Sequence, residues 1–245
     1  MRSGLVLLIA AAIAAPGSAH AGRSFYGWLH GTEVMPERGV ELQTWIGEEN
    51  RVEDLANRAE TWWGVGPFIG ITDQLEIGLP LNVAWFGTPG GPAFTALYDY
   101  GLELRYRMVT QDPEDAPPFA PLVRVAVNRL VLERDTVRPE VNIIASYEAG
   151  SAHLIADVNF VGEISRDAHH FEVHPGVGAS FNLRGDLRLG AEAFAQISMD
   201  DDGATWAIVG PNLSWTHGRT WVSVAYGIGV YQIKDAPRMQ WGIAF

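Results

Sequence analysis

From Gly39 to Phe245 the chain alternates apolar with polar or small side chains in one short segment after another. A period of two belongs to extended strands, whose side chains point to opposite faces. The segments fall at 39–47, 58–71, 75–86, 93–109, 120–130, 138–149, 152–163, 170–183, 187–198, 204–216, 220–231 and 237–245. That is twelve strands, each long enough to cross a bilayer at the tilt of a barrel strand, which takes roughly 9–11 residues. No segment of comparable strength has a helical period; residues 50–58 suggest at most a helical turn in a loop. The pattern predicts an all-β fold, a transmembrane antiparallel up-and-down β-barrel of about 12 strands over residues 39–245. A secreted sandwich with one buried face per sheet is the soluble alternative.

Register tests the alternation. A two-residue turn at Gly150-Ser151 sets Glu148 opposite His153 on the polar face and Tyr147 opposite Leu154 on the apolar one. The turn at Arg184-Gly185-Asp186 matches Asn182 with Arg188 and Phe181 with Leu189. The turn at Thr72-Asp73-Gln74 matches Gly70 with Glu76 and Ile69 with Ile77. A slip of one residue would invert every face, so three hairpins in agreement fix the pairing. Tight links follow strands two, six, eight and ten, and longer polar links follow most odd-numbered ones, as in barrels with short periplasmic turns and long outer loops. The proline- and acid-rich link Thr110–Phe119 is the exception, a long connection on the short-turn rim.

The apolar faces run Leu75, Ile77, Leu79, Leu81, Val83, Trp85 and Phe94, Ala96, Tyr98, Tyr100, Leu102, Leu104, Tyr106. Aromatics gather towards segment ends, with Trp63, Trp85, Phe94, Phe160 and Phe171 at the loop rim and Tyr106, Phe181, Trp215 and Phe245 at the turn rim. Two such girdles are expected of a membrane barrel. The final strand alternates Met239, Trp241, Ile243 and Phe245 with Arg238, Gln240, Gly242 and Ala244. It resembles the closing strand of bacterial outer-membrane barrels. That resemblance makes Trp241, Ile243 and Phe245 the candidate signal for the barrel-insertion machinery, a partner alongside outer-membrane lipids.

Residues 1–21 read as a cleaved secretory signal, with Arg2, an apolar run from Leu5 to Ala15, and a small-x-small Ala19-His20-Ala21 site. Residues 22–38 form an N-terminal segment expected at the periplasmic mouth or partly inside the lumen, with Tyr26–Trp28 packing there. The formal charge is −12, and −13 without Arg2, which argues against nucleic acid as a partner. The absence of cysteine removes disulfides and thiolate metal sites.

The polar face assigned to the lumen carries the acids Glu41, Glu60, Glu76, Asp99, Glu103, Glu140, Glu148, Asp157, Glu163, Glu172 and Glu192. Against them stand Arg105, Arg107, Arg124, Arg138, Arg188 and Arg238. Glu103, Arg105, Arg107 and Arg124 form a basic patch, and with Glu140, Asp157, Glu172, Arg188 and Glu192 they are the candidate solute path. Such a lining suits a hydrated channel whose acid excess favours cations or neutral solutes. It equally suits a network of Arg–carboxylate pairs that fills the barrel.

His170, Glu172 and His174 alternate on one strand face, a spacing that can share a metal although no further ligand is fixed. Asp200-Asp201-Asp202-Gly203 lacks the ligand spacing of a calcium loop. No His-x-Ser pair, the arrangement of twelve-stranded outer-membrane phospholipases, occurs, and no Gly-x-Ser-x-Gly elbow occurs either. A serine–histidine pair assembled across strands stays open as a lipid hydrolase reading. The expectation is no enzyme and no cofactor.

Two stretches carry a further resemblance. Residues Thr32 to Trp45 (TEVMPERGVELQTW) and Gly70 to Pro80 (GITDQLEIGLP) are similar to the opening segment and second hairpin of a broad group of bacterial outer-membrane barrels, among them transporter-like proteins associated with phenol-degradation pathways. The resemblance implies outer-membrane location and passage of small solutes. It transfers no site residue, and the phenol connection is not carried over. The leading expectation is a narrow channel for small solutes; a non-conducting structural or adhesion barrel is its rival.

Overall fold

The computed structural model describes residues 24–51, 59–86, 94–200 and 203–245, without the side chains of residues 59, 60 and 86. The expected signal segment, most of the proposed helical turn, the Glu60 side chain and Asp201-Asp202 lie outside this set. Among the described residues there is no helix, and the chain forms one closed antiparallel barrel.

The strands are β1 (Val40–Arg51), β2 (Ala59–Gly70), β3 (Leu75–Gly78), β4 (Leu81–Phe86), β5 (Phe94–Arg107), β6 (Phe119–Leu130), β7 (Val137–Ala149), β8 (Ala152–Ile164), β9 (His169–Arg184), β10 (Leu187–Ser198), β11 (Trp206–His217), β12 (Thr220–Tyr231) and β13 (Ile233–Ala244). β3 and β4 each pair with β2 and β5, the other strands pair with their sequence neighbours, and β1 closes on β13 with Glu41 opposite Ala244 and Gln43 opposite Gly242. Beyond the last paired residue, the Phe245 N–H donates to the Val40 carbonyl at 2.8 Å. No strand edge is left over, which is the condition for strands to sit in lipid.

β3 and β4 form a single stave, so the barrel has the twelve staves expected. The break falls at Leu79-Pro80, because proline has no N–H to give the ladder. The stave holds across it through Leu79 N–H to the Pro67 carbonyl and Gly101 N–H to the Pro80 carbonyl. The hairpin registers also match expectation, with Glu148 opposite His153, Phe181 opposite Leu189 and Ile69 opposite Ile77.

Two expectations need correction. A bulge in β5 sets Val83 opposite Leu97 but Asn82 opposite Asp99. Tyr98 is the extra residue; it lines the interior beside Asp99 while Leu97 takes the outer face. The last strand starts at Ile233, not 237, leaving Gln232 alone, at φ 53°, to turn the chain from β12.

The outer surface carries large exposed apolar side chains such as Leu102, Leu104, Ile143, Val177, Leu189, Val224 and Ile243. Trp63, Trp85, Phe160 and Phe171 are exposed towards the loop rim, and Tyr106, Phe181 and Trp215 towards the rim that holds the chain's two barrel ends, the terminal rim. Phe94 and Ala96, expected outside, fall beyond the bulge on the lumen parity of Ala84 and Tyr98. In water such an apolar belt is untenable; in a bilayer it is the required solvent-facing surface.

Candidate functional site

The barrel is not empty. Residues 24–38 run through its terminal half as an irregular strap before the chain turns into β1. Its large side chains Phe25, Tyr26, Trp28, Leu29, Val34 and Met35 are all buried. A segment without secondary structure must satisfy its backbone elsewhere, and here the barrel wall does so. Glu192 on β10 accepts the N–H groups of Gly27 and Trp28, both at 2.9 Å. Asp157 on β8 accepts the His30 N–H and faces its Nδ1, each at 3.0 Å. Glu76 on β3 accepts the Met35 N–H at 2.7 Å. Arg105 and Arg107 donate to the Gly31 and Thr32 carbonyls at 2.6 and 2.9 Å.

The wall is also cut to the strap's shape. A Cβ built on Gly176 would lie 2.2 Å from Leu29, and one on Gly178 would lie 2.4 Å from the Tyr26 ring. On the terminal-rim side of Gly178, the Tyr26 hydroxyl donates to the His153 carbonyl at 3.0 Å and lies 3.4 Å from Ser180 Oγ. Burial pushes the Tyr26 phenol above its ordinary range, with the Ser180 hydroxyl and the Arg188 charge opposing. The long link after β5, odd on a rim of tight turns, has a place here. Gln111 on that link exchanges two hydrogen bonds with the Val34 backbone, 2.8 and 3.3 Å, clasping the strap from below.

Beside and above the strap lies a cavity of about 530 Å³. It reaches from Glu49, Arg51, Glu163 and Gln196 near the loop rim down to Gln43, Phe68 and Trp221. Met35, Trp221 and Ala244 pack into a buried cluster at its terminal end. On one side an ion-pair ladder climbs the wall. Arg124 joins Glu103 at 2.7 Å to Glu140 at 2.8 Å and also donates to Asn142, while Arg138 lies 3.4 Å from Glu140 and 4.0 Å from Glu163. On the other side Trp28, Trp62, Phe194 and Trp206 form an aromatic group, with ring centroids 5.3 to 6.0 Å from Trp28.

The sequence-derived candidates therefore take two roles. Glu103, Arg124, Glu140, Asp157 and Glu172 line the cavity, and Arg105 reaches it while holding the strap. Arg107 and Glu192 face the lumen but are engaged by the strap, and Arg188 stacks its guanidinium 4.4 Å from the Phe25 ring. The metal candidate separates. His174 bonds to Glu172 at 2.8 Å, whereas His170 lies 3.4 Å from Asp200 at the loop rim. Residues four apart on a strand are about 13 Å apart, and among the described residues no three such groups converge. Trp241 and Ile243 lie on the outer apolar face with Phe245 beyond them.

Sequence reasoning missed the aromatic group and His30. One signal was present: Trp62 falls on the lumen parity of β2, followed at the next two lumen positions by Gly64 and Gly66, where a hydrated wall has no need of tryptophan.

Fold and lumen together define a closed membrane-type barrel with an internal strap. No protein-family model matches the chain, and no curated protein matches it in sequence. Solved structures do match. An outer membrane channel from Pseudomonas putida F1 superposes at a TM-score of 0.63 and 9% identity, over 89% of this chain and 99% of that one. The NanC porin gives 0.55 and 8%, over 83% and 98%. The translocator domain of the autotransporter NalP from Neisseria meningitidis gives 0.51 and 10%, over 84% and 87%. At these identities the likeness concerns the fold, that of bacterial outer-membrane barrels; none of it bears on phenol degradation.

Proposed function

We propose that the protein is an outer-membrane channel for small solutes, with its loop rim outside the cell, its terminal rim in the periplasm and the strap as its constriction. The carrying observation is the cavity of about 530 Å³ that runs beside the strap through most of the barrel's height. Its walls combine fixed charges, amides and aromatic faces, which replace a solute's hydration while the apolar exterior keeps lipid out. The likeness to a channel and a porin supports the same reading. On it, residues 1–21 direct export and are removed, and Trp241, Ile243 and Phe245 present the outward ridge that the insertion machinery handles. No catalytic role is assigned.

The Met35–Trp221–Ala244 cluster favours a second reading, a barrel closed at its terminal end that conducts nothing. Planar-bilayer recording decides between them. The full chain is expected to give small discrete current steps, and a variant lacking residues 24–38 steps several-fold larger. Silence from both proteins, each shown to be folded by heat-modifiable gel mobility, overturns the channel.

A further inference from the structure

One cation in the cavity differs from all the others. Arg51, Arg105, Arg124 and Arg138 each have a carboxylate within 4.0 Å, and Arg107 donates to a strap carbonyl. Arg238 on β13 has neither: among the described residues no carboxylate lies within 4.0 Å of it, and its buried Nε has no acceptor. Its guanidinium lies instead over the Trp28 ring at 5.1 Å and near the Trp62 ring at 6.0 Å, on the cavity wall. The two carboxylates whose charge it feels are engaged elsewhere, Glu192 by the Gly27 and Trp28 amides and Glu49 by Arg51. Across the register Gly47 is opposite Arg238, and a Cβ there would lie 2.6 Å from Trp62, so the wall is cleared to hold the tryptophan beside the arginine.

We propose that Arg238 and the Trp28–Trp62–Phe194–Trp206 group form a binding subsite for a small organic carboxylate with an apolar body. The guanidinium, held by the aromatic faces, keeps donors free for the two carboxylate oxygens in a geometry that a planar fork suits. The rings take the hydrocarbon part, which water disfavours. This inverts the cation preference suggested by counting lumen acids, since those acids are largely bonded to arginines, amides and histidines. It rests on the channel reading only for the role of the site in passage; binding itself does not require conduction.

Three near-isosteric probes test it on the full-length protein in detergent: cyclohexanecarboxylate, cyclohexanecarboxamide and cyclohexylmethylammonium, each titrated by calorimetry with a protein-free micelle control. The carboxylate is expected to bind about tenfold or more tighter than the amide, as loss of a charged hydrogen bond implies. Arg238→Met is expected to abolish that difference; Trp62→Ala is expected to weaken carboxylate and amide alike. Heat-modifiable mobility certifies the fold of each variant, and Arg238→Lys, which keeps the charge, is expected to retain a preference for the carboxylate. Equal binding of carboxylate and amide, preference for the ammonium, no binding of any probe, or an unaltered Arg238→Met overturns the subsite. Carboxylate binding by a protein silent in bilayers sustains the subsite and removes the channel. Conduction without carboxylate preference does the reverse.

Discussion

The carboxylate of Glu192 lies 2.9 Å from the backbone nitrogen of Trp28, and its second oxygen serves Gly27 at the same distance. One side chain of the barrel wall thus replaces the ladder partners that two strap residues lack. Replacing Glu192 by Leu leaves two buried N–H groups unpaired, at about 1–3 kcal/mol each. Faster proteolysis of the strap and larger bilayer currents are the expected outcome; unchanged strap protection in folded protein would refute the anchoring role.

Gly178 is the complementary case, a position where the wall must hold nothing. Its missing Cβ leaves room for the Tyr26 ring, 2.4 Å from where that carbon would sit. Gly178→Leu is expected to lift the N-terminal half of the strap while leaving the barrel intact, at a cost of roughly 1–3 kcal/mol to strap docking. Hydrogen exchange should show lost protection at residues 25–29 alone.

The Glu103–Arg124–Glu140 bridge, at 2.7 and 2.8 Å, ties β5, β6 and β7 together inside the lumen. Arg124→Met strands two buried carboxylates, and breaking such a group typically costs 3–5 kcal/mol. The temperature at which the compact gel form disappears should fall well below that of the parent. A Glu103→Gln, Arg124→Met, Glu140→Gln triple variant should recover much of the loss, because no charge is then left alone.

Tyr26 makes strap docking sensitive to alkali. Its phenol, buried in the strap's seat, ionises less readily there than in a displaced strap. For an acid whose docked pKa is raised, the contribution is complete below the ordinary phenol value and is lost as pH rises through the docked one. Protection of the strap should therefore hold from neutrality towards pH 10 and decline beyond it, measured against the pKa of about 10 of a free tyrosine. Tyr26→Phe should flatten that decline and lower docking by about 1 kcal/mol for the lost hydroxyl bonds.

The barrel was legible in the sequence because its rules are local. At Gly150-Ser151 and Thr72-Asp73-Gln74 the turn and the alternating faces specify the same register, and the structure keeps it. The departures occur where one residue breaks the period: Pro80, which interrupts a stave without ending it, and Tyr98, which the β5 bulge turns inward. The site was hidden for a different reason. Trp28, Trp62, Phe194 and Trp206 come together only through barrel closure, and the strap has no period to follow. Lumen parity identified Arg238 as an inward cation; only three-dimensional contacts distinguish it from arginines that are matched by acids.

The strap continues into β1 through Arg38, a non-glycine residue at φ 65° whose N–H is held by the Gly70 carbonyl. Its seat is consequently contested by a tethered occupant whose local concentration, on the millimolar scale for a short connection, dilution cannot lower. A free peptide copying residues 24–37 would have to exceed that concentration to displace it. Any natural signal that unseats the strap therefore gains more by weakening its grip on the wall than by competing for the place it fills.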